Sequence, residues 1–597
     1  MAICGVWNER NAPLQDLTPM VIPPWSQHEN RQDTERINGT KNMKTETLLD
    51  YIDHWHETAP DVTWLRERRG DQFVEWSWRA AQEELYAIAT WIEARYGRVH
   101  GTESANIALL SRNRAHWMLA DLAIIASGNV TVPLFTTLAQ DTARYILEFA
   151  NTRLLILGEA ENWPRVSAIL RNDVEIITLP GVEIDAPHTR WEDILATHRG
   201  QRPAHTPTAG EMISIVFTSG TTGVPKGVMH THASMLVPMQ RCREYFTVRA
   251  NPRFLSYLPL SHIAERQVVM VQSLIHCGSV TFNESLPTLV RDMVEARPNY
   301  FFGPPRVWEQ LQQGIIGKFG SAQSLQKALE KDLAGVSQRL RQGIGLDEAD
   351  YILTAAAPIP PALIAWYDTI GLALMEGFGQ TEIMGVTANV PGARRIGSIG
   401  RAIAGVEIRI AEDGELLVRS DGAATGYYKM PEKTAETFVD GWVHTGDKAR
   451  VDSDGFVYLT GRVKDYYKTV HGKFVAPAPI ENEFAANNYV EQLCLLGRGY
   501  SKTVMLCVLN AAAREQPPDI VANAMRAQAE HVNRSVAKHE RIGVVIICRQ
   551  PWTIENGGMT PTLKLRRDAL ESRFGEQARD LAQDAATRGE LLIHWRD

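Results

Sequence analysis

Cysteine is scarce in this chain: six occur in 597 residues, at Cys4, Cys242, Cys277, Cys494, Cys507 and Cys548. None sits in a CxxC or Cys/His spacing, which argues against a zinc site. In a chain of this size they read as free thiols, mostly buried, in a reducing compartment. Long apolar runs are missing too. No stretch reaches the roughly 20 residues that a membrane-spanning helix needs. Residues 1–42 lack the apolar core of a secretory signal. Positive charge is not in excess: 62 Lys and Arg against 70 Asp and Glu leave a net charge of −8, which argues against nucleic acid as the main partner. There is no internal repeat and no low-complexity tract, so a repeat array is excluded. The expected location is cytoplasmic. No basic amphipathic helix marks a membrane anchor, which leaves peripheral contact at the inner membrane face, and the oligomeric state, open.

What is present is an ordinary globular composition, 44% apolar and 22% charged. The chain is too long for one core, so two or more domains are expected. Regular patterning begins near Thr47. The spacing predicts helices over Thr47–His56 and Arg79–Tyr96. Alternating strands and helices follow: strands Ile107–Leu110, Val130–Leu134 and Leu154–Leu157, helices Trp117–Ala126 and Asp141–Ala150, the last with Asp141 as N-cap. The alternation resumes with strands Phe254–Leu258, Ser279–Phe282, Asn299–Phe302 and Tyr351–Thr354. Between them fall helices near Ile263–His276, after Pro305, and a long charged one over Ser324–Leu340. Such alternation predicts parallel sheets covered by helices. From about Gly397 short alternating strands suggest a small β subdomain, and beyond Arg462 lies a mixed α+β segment. The division expected is a 1–42 extension, a large domain over 43–461 and a small one over 462–597.

The densest chemistry lies in Thr218-Ser219-Gly220-Thr221-Thr222-Gly223-Val224-Pro225-Lys226-Gly227. An apolar run, Met212 to Phe217, leads into it as a buried strand. Four hydroxyls, three glycines and one lysine fall within these ten residues. Glycines let the backbone turn N–H groups inward without Cβ clashes. Hydroxyls add donors and Lys226 adds a compact charge, a set suited to a polyphosphate. It is not a Walker A loop, because Gly227 follows the lysine and the glycine spacing differs.

Four more motifs follow in chain order. Gly377-Phe378-Gly379-Gln380-Thr381-Glu382 offers a ring that can stack on a base, flanked by glycines that allow close approach. Trp442-Val443-His444-Thr445-Gly446-Asp447 sets a carboxylate on what reads as a tight turn. Gly461-Arg462-Val463-Lys464-Asp465, with Lys468 and Gly472 beyond, reads by itself as a charged linker. Gly557-Gly558-Met559-Thr560-Pro561-Thr562-Leu563-Lys564-Leu565-Arg566-Arg567 presents a lysine just before an amphipathic helix. Together the five motifs resemble the ATP-dependent acyl-CoA synthetases of the adenylate-forming superfamily, which includes peptide-synthetase adenylation domains and luciferases. The resemblance runs from about Thr47 to Gln583.

That resemblance implies a large N-terminal domain with doubly wound sheets and a small β subdomain, then a small mobile α+β domain. It implies that Thr218, Ser219, Gly220, Thr221, Thr222, Gly223 and Lys226 hold the β- and γ-phosphates of ATP. Gly377 and Phe378 would meet adenine, with Phe378 standing where the family commonly has Tyr. Thr381 would contact the α-phosphate, Glu382 would hold Mg²⁺, and Asp447 would accept both ribose hydroxyls. Arg462 would bind the ribose and phosphate side. Lys464 stands at the family's interdomain hinge, and Gly472 in the segment that meets the pantetheine tunnel in the thioester-forming pose. Lys564 would bridge the substrate carboxylate and the α-phosphate. Mg²⁺ is the implied cofactor, and ATP and CoA the co-substrates.

Leu258-Pro259-Leu260-Ser261-His262-Ile263-Ala264-Glu265-Arg266, Gly303-Pro304-Pro305-Arg306-Val307-Trp308-Glu309 and Val132-Pro133-Leu134-Phe135-Thr136-Thr137-Leu138 are similar to the long-chain branch. His262 is a candidate for the mouth of the acyl tunnel, or a satisfied structural histidine. Trp308 reads as core. Ala355-Ala356-Ala357-Pro358 departs from a stretch that usually carries glycines, and each added methyl removes space beside the ligand. Ala355 and Ala356 are therefore candidate acyl-pocket residues. The expected activity is fatty acid–CoA ligation through an acyl adenylate. The alternatives are loading of a carrier protein in trans, or ligation of an aryl or other unusual acid. A nucleotide-binding protein without catalysis is a third, and Glu382, Asp447, Arg462 and Lys564 speak against it.

Overall fold

The computed structural model describes residues 46–97, 104–218, 224–485, 487, 489–553, 556–560 and 565–596. Its largest sheet has seven strands, in the order Thr189–Arg190, Glu175–Thr178, Leu154–Leu157, Asn106–Leu110, Val130–Leu134, Met212–Thr218 and Lys226–Thr231. Each adjacent pair is parallel except the last, an antiparallel hairpin. Side chains alternate across a strand. Ile107 and Leu109 accordingly pack with Trp117 and Leu122 of helix Ala115–Ala126, while Ala108 and Leu110 pack with Ile146 and Leu147 of helix Gln140–Phe149. Burial on both faces is why these strands read as unbroken apolar runs.

A second sheet runs Tyr300–Phe302, Tyr351–Thr354, Leu374–Gln380, Ile383–Ala388 and Arg401–Ala402. It is parallel through Leu374–Gln380 and antiparallel beyond. A third, of four strands, pairs Arg253–Ser256 and Ser279–Phe282 with the hairpin Thr63–Arg69 and Gln72–Ser77. The expected β subdomain is present as Glu407–Ile410, Glu415–Arg419, Trp442–Val451 and Phe438–Val439, with Val457–Arg462 paired to Trp442–Val451. The last sheet orders Val490–Leu496, Thr503–Leu509, Ile542–Cys548 and Leu592–Arg596. In its strand Thr503–Leu509, Met505, Cys507 and Leu509 meet helix Pro518–Ser535, and Val504, Leu506 and Val508 meet helix Arg567–Arg588.

Two local expectations need correction. The long helix over Ser324–Leu340 is two helices, Ala322–Lys331 and Leu333–Gly343. Asp332 divides them: it takes a non-helical backbone and accepts a hydrogen bond from Gly335 N, so the aspartate acts as an N-cap in mid-sequence. Asp141 is not an N-cap. The helix is Gln140–Phe149, capped by Ala139 without a side-chain bond. The cysteines behave as read: Cys277, Cys494, Cys507 and Cys548 are buried, Cys242 is half-buried, and all five are free thiols. Cys4 lies outside the described residues. Among the described residues no helix is long and apolar enough to cross a membrane.

The helix expected near Ile263–His276 contains a π-helical segment, Arg266–Val271. Its first residue anchors the core. Arg266 Nη2 donates to both Asp121 oxygens at 2.7 and 2.8 Å, and Nη1 donates to Ser214 Oγ at 2.7 Å. Both charged side chains are fully buried. Removing one partner strands a charge in the interior, whereas removing both can be nearly neutral. Asp121→Leu or Arg266→Met alone should each cost about 3–5 kcal/mol, and the double variant far less than their sum. Urea denaturation of the four proteins checks this, and additive losses would contradict it.

Candidate functional site

Two hairpins and one bulged strand bring four of the separated motifs together. The glycine-rich loop joins strands Met212–Thr218 and Lys226–Thr231, with Thr218 opposite Lys226. Ser219, Gly220, Thr221, Thr222 and Gly223 lie outside the described residues. Lys226 is half-buried, and its Nζ stands 4.6 Å from the centre of the Tyr427 ring. Burial lowers the pKa of this ammonium from the ordinary lysine value; Glu382 opposes the shift, and Lys464 and Lys433 add to it.

Strands Leu374–Gln380 and Ile383–Ala388 form the second hairpin, with Thr381 and Glu382 at its tip. Close packing explains its glycines. A Cβ on Gly377 would lie 3.1 Å from the Thr387 carbonyl oxygen, and one on Gly379 would lie 3.1 Å from Met384 Cα. Phe378 is half-buried, resting against the β-subdomain core around Ile383 and Val386. Tyr427 donates to Glu382 Oε1 at 2.7 Å. The segment carrying Tyr427 is strapped to both hairpins: Ala424 N donates to the Glu382 carbonyl, and Met229 N to the Gly426 carbonyl.

Asp447 corrects the expectation of a tight turn. It lies inside the ten-residue strand Trp442–Val451. A register shift against Glu415–Arg419 leaves extra residues near Thr445–Asp447, with Gly446 at φ +70. This is a bulge, the usual device for re-aiming a side chain beside a site. Gly446 N and His444 Nδ1 both bond the Glu415 carboxylate, at 2.7 and 2.8 Å. The re-aimed Asp447 is 5% exposed. Gln380 Nε2 donates to its Oδ2 at 2.6 Å, and Arg462 Nε donates to its Oδ1 at 3.0 Å. Arg462 is also its cross-strand partner. Three motifs thus meet at one carboxylate.

The remaining candidates are spread around this centre. Lys464 is exposed, close enough to Lys226 and Glu436 to influence both. Gly472 sits at φ +72 at the exposed tip of hairpin Tyr467–Lys468 and Phe474–Val475, and the Lys468 ammonium lies over the Phe474 ring at 4.8 Å. Lys564 lies outside the described residues. Met559 and Leu565 form an isolated bridge, and Arg567 is fixed by Glu481 and the Leu495 carbonyl. His262 caps the helix that starts at Ile263, its Nδ1 accepting from Ala264 N. Trp308 is fully buried, as read.

Three residues of this region escaped the sequence reading: Gln380, which it named only as part of a motif, Tyr427 and Glu376. Glu376 is 8% exposed, and burial pushes its carboxyl up to about 8. Its register partner is Thr354, whose hydroxyl is also buried and makes no hydrogen bond among the described residues. The signal was visible: a carboxylate inside the apolar run Leu374-Met375-Glu376-Gly377. Buried polar groups at the carboxyl ends of parallel strands are where ligands bind in open α/β sheets.

Two family profiles match the chain: the AMP-binding enzyme over residues 52–428, and the AMP-binding enzyme C-terminal domain over residues 464–584. The chain belongs to the AMP-binding enzyme family. Among its curated relatives, the long-chain-fatty-acid–CoA ligase ACSBG2 of Gallus gallus is 25% identical, over 88% of this chain and 79% of its own. The long-chain-fatty-acid–CoA ligase FadD15 of Mycobacterium tuberculosis is 27% identical, over 78% of this chain and 86% of its own. In fold this AMP-binding enzyme resembles the A-PCP didomain of carboxylic acid reductase from Segniliparus rugosus in complex with AMP. The TM-score is 0.77 at 21% identity, covering 94% of this chain and 86% of that one.

One strained residue marks the edge of the site. Ala356 sits at φ +74 in the Ala355–Ala357 run that follows strand Tyr351–Thr354. A left-handed conformation costs a residue bearing a Cβ about 1–2 kcal/mol, and the greater freedom of glycine when unfolded offsets roughly 0.5–1 kcal/mol of any relief. Ala356→Gly should therefore raise stability by up to about 1 kcal/mol. Equilibrium denaturation measures this, and a loss of stability would refute the strain.

Proposed function

We propose that this enzyme is an AMP-forming fatty acid–CoA ligase. The observation that carries the reading is the meeting of Gln380, Arg462 and Asp447 at one buried carboxylate, beside Glu382, Tyr427 and Lys226. In the first step a fatty-acid carboxylate oxygen attacks the α-phosphorus of ATP, forming acyl-AMP and releasing pyrophosphate. In the second, the CoA thiol attacks the acyl carbonyl, giving the thioester and AMP.

Asp447 accepts from the ribose hydroxyls, as a carboxylate can from two neighbouring donors. Phe378 supplies a face for adenine, with Gly377 allowing the base to approach. Thr218, Ser219, Gly220, Thr221, Thr222, Gly223 and Lys226 hold the departing pyrophosphate, where donors and a cation lower the cost of concentrated negative charge. Thr381 donates to the α-phosphate. Lys564 bridges substrate carboxylate and α-phosphate, where charge crowds as the bond forms.

Mg²⁺ fits the residues present. Among the described residues no three His, Cys, Asp or Glu side chains cluster into a protein-only cage. The half-buried Glu382 beside Lys226 suits an ion held by one carboxylate plus substrate phosphates. When bound, Mg²⁺ would neutralise phosphate charge.

The domain division 43–461 and 462–597, with the hinge at Lys464, is part of this proposal. The gap between the two profile matches supports it. One face of the smaller domain brings Lys564 to the first step, and rotation at the hinge brings the hairpin of Gly472 to the second. Peripheral contact with a membrane surface would supply the acid.

Lys564→Ala should lower acid-dependent ATP–pyrophosphate exchange by at least about a hundredfold. Thioester formation from supplied acyl-AMP and CoA should persist. Equal loss of both half-reactions would defeat the division of labour.

A further inference from the structure

Glu382 and Lys226 carry opposite charges in one half-buried corner. Their fields reach each other, since Glu382 acts on the Lys226 ammonium. Yet neither forms an ion pair of 4 Å or less with a described residue; both end groups instead meet Tyr427. The Tyr427 hydroxyl bonds Glu382 Oε1 at 2.7 Å, and the ring presents its face to Lys226 Nζ at 4.6 Å from its centre. The ring is buried, 4% exposed, and packs edge-on against Phe438 at 5.8 Å. Its backbone is fixed as well. Tyr427 bridges to Val228, its N donates to Thr434 Oγ1 at 2.9 Å, and Tyr428 N donates to the Gly227 carbonyl at 2.8 Å. The phenol therefore has little freedom to move aside.

We propose that Tyr427 is a positioning residue that keeps Glu382 and Lys226 apart, so that both charges remain available to the polyphosphate instead of neutralising each other. One group addresses each partner by a different interaction. The hydroxyl satisfies the carboxylate by a charge-assisted hydrogen bond, and the ring face attracts the ammonium through its quadrupole. Without the hydroxyl, the freed carboxylate can turn to the Lys226 ammonium, which its field already reaches. The resulting ion pair would have to be broken each time ATP binds. This inference deepens the proposed function and rests on it for the identity of the ligand; the separation of the charges belongs to the ligand-free chain.

The test uses the full chain and the variant Tyr427→Phe, which retains the ring and loses only the hydroxyl. Trace labelling of lysines with acetic anhydride, read by mass spectrometry without ligand, reports how freely the Lys226 amine is available. Labelling of Lys226 should slow by about three- to tenfold in Tyr427→Phe, as expected for a new ion pair. It should return to the wild-type rate in the double variant Tyr427→Phe/Glu382→Gln, where no carboxylate remains to pair. ATP binding by calorimetry should weaken about tenfold in Tyr427→Phe, with the melting temperature unchanged. An unchanged labelling rate in Tyr427→Phe, or slowing that persists in the double variant, would overturn the inference. If the wild type fails to bind ATP while the labelling pattern holds, the proposed function falls and the charge separation stands.

Discussion

A carboxylate taken out of water must be hydrogen-bonded or paired, and Asp447 meets that demand with two donors from distant parts of the chain. Gln380 lies 67 residues before it and Arg462 lies 15 after it. The first belongs to the antiparallel hairpin of the second sheet; the other lies on the strand Val457–Arg462 of the β subdomain. This one group therefore ties the hairpin of Gln380 to the β subdomain. Asp447 reaches that position because Gly446, in a left-handed conformation, allows the bulge that turns it. Replacing Gln380 or Arg462 would leave a buried charge partly unsatisfied, so the proposed nucleotide site and the local fold stand on the same bonds.

The corner around Glu382 and Lys226 is built from two hairpins clasped by a third segment. Thr218 and Lys226 flank one tip, Thr381 and Glu382 form the other, and Ala423–Tyr428 crosses both. In the proposed role of Tyr427, such an arrangement holds groups of opposite charge close together without letting them cancel. Preorganised charge of this kind is what stabilises a leaving pyrophosphate, because the protein does not have to reorganise as charge moves.

Much of this was legible in sequence. The parallel sheets follow from apolar runs such as Leu154–Leu157 alternating with helices, because strands buried on both faces are mostly apolar. The five motifs were visible because glycine, charge and hydroxyls cluster locally in each. What stayed hidden depends on distant contacts. Thr63–Ser77 forms a hairpin although Arg66, Glu67, Arg68 and Arg69 break the apolar pattern; its outer strand, Gln72–Ser77, is an edge, and its inner one gains partners only from Ser279–Phe282, over 200 residues away. Tyr427 looked like any aromatic until the fold set it beside Glu382. Asp447 read as a turn residue because Gly-Asp marks turns by itself, and only the pairing with Glu415–Arg419 makes it a bulge. The pattern over Ser324–Leu340 predicts one helix because the period carries through Asp332, whose capping preference interrupts it.

The central claim is that these motifs form one site that activates a fatty acid as its adenylate. It is tested most directly by ATP–pyrophosphate exchange with the wild-type protein across a panel of carboxylic acids, in the absence of CoA. The account predicts exchange that depends on added fatty acid, needs no CoA, and yields AMP with acyl-CoA when CoA is then supplied. Exchange that no acid stimulates, or release of ADP in place of AMP, would contradict it.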